Sequence, residues 1–250
     1  MKLRSSVLCL LISLSIRGEV LQVAVASNFV ATLEELAVAF EKHSSVEVQC
    51  SPGSTGRHYA QITHGAPYDL FFAADVERPR LLEEQGKIVK GSRFTYAIGK
   101  LVLWSPDPKR ISDVYDLSKT DFRHLAIANP TLAPYGVAAK EVLKVFNLWD
   151  LMESRIVLGS NIAQTAQFVQ SGAAEIGFVA LSQIQRPGKE LPGSIWHPPP
   201  HSYAPIVQQA VLLNDTPAAR AFISFLTTDE AETILSSFGY GVPNVIPGGS

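Results

Sequence analysis

The chain has 250 residues, 46% of them hydrophobic and 18% charged, with a formal net charge of -2. That supplies apolar material for a large core and length for two compact lobes. The near-neutral balance excludes a global basic field of the kind that holds nucleic acid or an anionic membrane.

The first residues read as a secretory signal. Lys2 and Arg4 form a positive n-region, and residues 7–16 are apolar but too short to span a bilayer. Ser13-Leu14-Ser15 offers a small-x-small cleavage motif, and Ile16-Arg17-Gly18 leaves the cut open by a few residues, so 1–18 is assigned as the signal peptide. Cys9 lies inside that segment without small residues immediately before it and is a poor lipid-attachment site. Cys50 is then the only mature cysteine, which rules out an intrachain disulfide.

Residues 21–26 are an apolar run suited to a buried strand. They lead into a helix over 29–42, where Phe29, Leu33, Leu36, Ala37 and Phe40 recur at helical spacing. A strand at 46–50 and a helix at 58–63 follow, with His64-Gly65-Ala66-Pro67 as the stop. An apolar strand at 70–74 and a short helix at 80–85 complete this stretch. Residues 94–104 form a longer extended run with Gly99-Lys100 in its middle. The alternation then restarts: strand 125–128, helix 137–146, strand 155–158, helix 163–171, strand 176–179. The proline-rich stretch 191–200 cannot be a regular helix. A second long extended run covers 203–213, followed by helices at 217–226 and 229–238.

Strands alternating with helices imply parallel pairing and an α/β fold. Two long strands bracketing a middle segment imply a hinge crossed twice. One lobe then combines residues 19–99 with 206–250, and the other spans 100–205. Ligands in such sheets bind beyond the carboxyl ends of the strands.

Four turns lie at those ends, all small and uncharged: Ala26-Ser27-Asn28, Gly53-Ser54-Thr55-Gly56, Pro134-Tyr135-Gly136 and Ser160-Asn161-Ile162. Each opens a helix, whose first N–H groups have no acceptor within the helix and form a ready anion site. Ordinary helix capping explains any one of these turns, with Ser27 and Asn28 fitting an N-cap; the recurrence points to a shared small dianion. A hydrogen bond to a charged acceptor contributes about 1.5–3 kcal/mol. Six such bonds sum to about 9–18 kcal/mol before association costs, against roughly 8 kcal/mol for micromolar binding, so micromolar capture is within reach without a salt bridge. Arg57, next to the second turn, is expected to face solvent.

Other features carry less. Gly53-Ser54-Thr55-Gly56 lacks the lysine and spacing of a nucleotide-phosphate loop and the spacing of a nucleophile elbow. Asp69 and Asp75 flank an apolar strand and read as caps rather than metal ligands. His197 and His201 enclose three prolines, with no cysteine or third histidine to complete a zinc pattern. An exported enzyme using Ser54 or Thr55 as nucleophile needs a base beside them, with His58 and His64 the candidates.

At these turns the chain resembles the periplasmic molybdate-binding proteins of ABC transporters, over essentially its whole mature length. The resemblance rests on Val23-Ala24-Val25-Ala26-Ser27-Asn28-Phe29, on Gly53-Ser54-Thr55-Gly56-Arg57-His58-Tyr59-Ala60-Gln61-Ile62 and on Gly65-Ala66-Pro67-Tyr68-Asp69-Leu70-Phe71 with Ala73-Ala74-Asp75. It continues through Asn129-Pro130 to Tyr135-Gly136, Gly177-Phe178-Val179-Ala180 and Gly239-Tyr240-Gly241. It implies a two-lobed periplasmic binding protein fold of type II, each lobe a mixed, mostly parallel sheet flanked by helices, joined by a two-strand hinge. It also implies a molybdate or tungstate ligand, no cofactor, no catalysis, a monomer in the periplasm and a membrane permease as partner. The ligand set carried over is Ser27 with Asn28, Ser54 or Thr55, and the backbone N–H groups of Tyr135 and Ile162. Some members place an anion-binding tyrosine where this chain has Ala180, so either the phenol is missing or Tyr135 supplies it. Sulfate or phosphate remains the alternative ligand.

Overall fold

The computed structural model describes residues 19–119 and 121–241; the expected signal segment, with Cys9, lies outside them. In chain order the elements are β1 (Val20–Ala26), α1 (Val30–Glu41), β2 (Glu47–Gly53), α2 (Thr55–Thr63), β3 (Leu70–Ala73), α3 (Glu77–Glu84), β4 (Phe94–Gly99) and β5 (Leu101–Ser105). Then come α4 (Asp116–Lys119), β6 (Leu125–Ala128), α5 (Pro134–Val145), α6 (Trp149–Met152), β7 (Ile156–Gly159), α7 (Ile162–Gln170), β8 (Ile176–Ala180) and α8 (Leu181–Ile184). The last are β9 (Ser194–Trp196), β10 (Ile206–Leu212), α9 (Pro217–Phe225) and α10 (Asp229–Ser237).

The strands form two five-stranded sheets, β2-β1-β3-β10-β4 and β7-β6-β8-β5-β9. In the first, β1 pairs parallel with β2 and β3, while β10 runs antiparallel to β3 and β4. In the second, β6 pairs parallel with β7 and β8, while β5 runs antiparallel to β8 and β9. The fold is therefore two-lobed α/β, each lobe built on a mixed sheet with flanking helices.

The extended run at 94–104 is not one strand. It breaks at Lys100, so that β4 belongs to the first sheet and β5 to the second. A Cβ at Gly99 would collide with the Tyr135 hydroxyl and lie 2.5 Å from the Gln208 amide nitrogen. Only glycine fits where the chain passes between the sheets. The return path through 197–205 brings β10 back beside β4, with Ile206 opposite Gly99.

Several elements differ from the sequence expectation. The proline-rich stretch holds a short edge strand, β9, pairing with β5 through Ile195 and Trp196. Helix α2 begins at Thr55 rather than 58, because the Ser54 side chain accepts from the Arg57 N–H and caps it. Helix α5 begins at Pro134, where a missing N–H costs nothing in the first turn. Helix α1 has Phe29 as its N-cap with no side-chain capping bond, so Ser27 and Asn28 do not cap it.

Phe29 instead fixes the start of α1 by packing. Its ring lies 4.6 Å from Tyr96, 5.4 Å from Tyr240 and 5.7 Å from Phe72. Leu33, Leu36 and Phe40 continue the buried stripe of this helix against the first sheet. In the second lobe, Gly136 lets α5 sit against the end of β6, since a Cβ there would strike the Ala128 carbonyl.

A candidate oxyanion-binding site

Each of the four turns follows the carboxyl end of a parallel strand: β1, β2, β6 and β7. The structure brings all four together around one small cavity, lined by Ser27, Asn28, Ser54, Thr55, Tyr135 and Ile162 among others. None of its twelve lining residues carries a charged side chain. Ser27, Asn28, Ser54, Thr55, Tyr135 and Ile162 are each no more than 5% exposed. Arg57 is exposed, as expected.

The three hydroxyls share one arrangement. Ser27 Oγ accepts from the Ala163 N–H at 3.4 Å, Ser54 Oγ from Arg57 N–H at 3.3 Å, and Thr55 Oγ1 from Ala74 N–H at 3.0 Å. A hydroxyl whose oxygen accepts a backbone N–H keeps its own proton to donate. Around them, Thr55 and Ile162 occupy first positions of helices whose opening N–H groups have no intrahelical acceptor. The Asn161 side chain takes up the Gln164 N–H at 2.9 Å, which leaves the Ile162 N–H to the cavity end of α7.

The lobes touch around this cavity. Gly56 N–H donates to the Leu132 carbonyl at 3.1 Å, Ser182 Oγ to the Asn28 carbonyl at 2.9 Å and Gln183 Nε2 to the Ser27 carbonyl at 3.0 Å. Ser182 and Gln183 sit in α8, just beyond Ala180. Neither was singled out from sequence, since a four-residue helix gives too little periodicity to notice.

Asn28 turns its side chain away from the capping role. Its Nδ2 donates to Gln208 Oε1 at 2.9 Å and Tyr240 Oη at 3.0 Å, while its buried Oδ1 has no partner among the described residues. Gln208 also accepts from Tyr96 Oη at 2.7 Å and donates to Tyr135 Oη at 3.1 Å. The Tyr135 phenol is thus held by the strand that re-enters the first sheet, an arrangement the spacing of Pro134-Tyr135-Gly136 could not reveal. Burial pushes the phenols of Tyr96, Tyr135 and Tyr240 up, so all three are neutral donors at physiological pH. The signal for Gln208 was present in the sequence: an amide inside the apolar run of β10.

The rival features resolve differently. Asp69 accepts from the Gln22 N–H and from Asn214 Nδ2, and Asp75 accepts from the Arg78 N–H and guanidinium. No group of metal-ligating side chains occurs among the described residues. His58 contacts the Val25 carbonyl at 3.2 Å and Gln61 Oε1 at 3.1 Å, and burial holds its pKa below the usual value. His64 contacts the Ala60 carbonyl at 2.7 Å.

The model of a bacterial extracellular solute-binding protein family matches residues 21–241. The molybdate-binding protein ModA of Azotobacter vinelandii is 48% identical over 225 residues, covering 88% of this chain and 89% of the relative. ModA of Rhodobacter capsulatus is 45% identical over 226 residues, covering 89% and 88%. The solved periplasmic molybdate-binding protein of A. vinelandii superposes with a TM-score of 0.87 at 45% identity, covering 90% of this chain and 100% of that one. From a match along nearly the whole described chain, this protein belongs to the bacterial extracellular solute-binding protein family.

Proposed function

We propose that this protein is the periplasmic receptor of an ABC transporter, capturing molybdate or tungstate between its lobes and delivering it to the membrane permease. One observation carries the reading: four helix-opening turns, two from each sheet, converge on a single small cavity without a charged side chain. Such a lining suits a compact dianion, because converging N–H dipoles and hydroxyls stabilise it without a counter-ion. The named relatives support the choice of ion.

The ligand set is Ser27 and Asn28, then Ser54 and Thr55, then the backbone N–H groups of Tyr135 and Ile162. We divide the lobes as residues 19–99 with the chain from 206 onward, and 100–205, a reading that the two separate sheets support. The protein acts as an exported monomer, without cofactor or covalent chemistry. His58 and His64 support this binding role, since their ring nitrogens contact Val25, Gln61 and Ala60 rather than either hydroxyl of the second turn.

Isothermal calorimetry with molybdate, tungstate, sulfate and phosphate tests the proposal. Molybdate and tungstate should bind micromolar or tighter and displace the other two. Preference for sulfate or phosphate, or no heat from any of the four, overturns it.

A further inference from the structure

Gln208 is wholly buried on a strand whose other residues, its half-buried neighbour Gln209 aside, are apolar. Its amide ties together two of the four cavity turns. Oε1 accepts from Asn28, in the turn after β1, and Nε2 donates to Tyr135, at the start of α5. Those turns belong to different lobes. Four features of the fold serve this one side chain. The β4–β10 register shifts between Gln208 and Gln209, leaving Tyr96 without an opposite residue. That irregularity accompanies a 2.7 Å bond from Tyr96 to Gln208. Gly99 lacks the Cβ that would strike both Gln208 and Tyr135. Asn28 spends both Nδ2 protons on Gln208 and Tyr240 while its Oδ1 stays buried and unpaired, so the network overrides the cost of an orphaned carbonyl.

We propose that Gln208 is a positioning residue: through Asn28 and Tyr135 it locks the cavity turns of the two lobes at their closed spacing and so retains the bound anion. It touches no ligand itself. The closed state gains a buried bond from Gln208 to Tyr135 that separating the lobes strains or breaks. Losing it therefore speeds release more than it slows capture.

This inference rests on the oxyanion reading above, and the test separates the two. Stopped-flow measurements of molybdate association and dissociation are made on the wild type, Gln208→Leu, Tyr135→Phe and the double variant. Tyr135→Phe keeps the backbone N–H and loses only the phenol. Dissociation should accelerate about ten-fold in each single variant, with association within about two-fold of wild type. The double variant should release the ion little faster than Gln208→Leu alone, because that change already removes the bond to Tyr135. Unliganded thermal unfolding that stays cooperative confirms intact folds, and if Gln208→Leu does not fold, Tyr135→Phe alone must still show the faster release. Unchanged dissociation, or effects that multiply in the double variant, overturns the role of Gln208 alone. A wild type that binds no oxyanion sinks the functional reading and this inference with it.

Discussion

The two lobes build the same sheet plan but furnish the cavity in opposite ways. The first supplies side chains: the hydroxyls of Ser27, Ser54 and Thr55, each steadied by a backbone N–H. The second supplies main chain at the openings of α5 and α7, behind Tyr135 and Ile162, whose side chains lie in its hydrophobic core. A hydroxyl turn is changed by substituting one residue. A backbone turn is changed only by moving its helix. The first lobe should therefore respond to mutation in affinity and the second, apart from the Tyr135 phenol that reaches Gln208, in stability.

The harshest break of that contrast is Ser27→Asp, which places a carboxylate in a lining that has none. Repulsion at contact distance in a weakly screened cavity is worth several kcal/mol. Molybdate affinity should fall by more than about 1000-fold in calorimetry while unfolding stays cooperative. Affinity within ten-fold of wild type would place the ion elsewhere.

Ser54→Ala sharpens the same side. It removes one donor to the ion and the cap of α2, so affinity should drop roughly 10- to 100-fold. Urea unfolding should show a loss of about 1 kcal/mol for the cap. Thr55→Val adds a different readout, since it strands the buried Ala74 N–H and should cost about 1–3 kcal/mol of stability. Comparing the two affinity losses ranks the two hydroxyls of the turn as donors to the ion.

Ile162→Ala tests the other lobe. It keeps the N–H, so affinity should stay within about three-fold, while the truncated core side chain should cost about 2–5 kcal/mol in chemical denaturation. A large affinity loss with unchanged stability would reverse the contrast.

The smallest expected effect is that of pH. The phenols of Tyr96, Tyr135 and Tyr240 are raised by burial and His58 is lowered, so the site itself does not titrate between about pH 6.5 and 9. Affinity should be flat there by calorimetry. Stability should not be flat outside it. His58 is more basic in the unfolded chain, so its contribution is complete above about pH 6.5 and is lost as pH falls below that value. The three phenols act in the opposite sense: their contribution is complete below about pH 10 and is lost as pH rises past it.

Much of this was legible in the sequence because it is local. Strands ending in Ala26, Gly53, Ala128 and Gly159, each followed by a small turn and a helical stripe, announce both the α/β alternation and the cavity turns. What stayed hidden depends on contacts far apart in the chain. Asn28 and Gln208 are 180 residues apart, and Asn28 and Tyr240 are 212 apart, so no spacing rule links them. The break at Lys100 was legible as a lobe boundary after Gly99, but not as the end of one strand and the start of another, because a hinge strand and an unbroken strand share one apolar pattern. The three-residue strand β9 was masked by the prolines around it. Ser27 and Asn28 read as an N-cap because caps favour those residue types, yet the packing of Phe29 decides where α1 begins.

The uncharged lining of the cavity also bears on how fast it fills in different waters. Lysine or arginine rings attract anions over distances that dissolved ions curtail, with a screening length of about 8 Å at 0.15 M. Aligned peptide groups act only at close range. Encounter with the ion should accordingly proceed at nearly the same speed in dilute and briny surroundings, leaving capture largely independent of ionic strength.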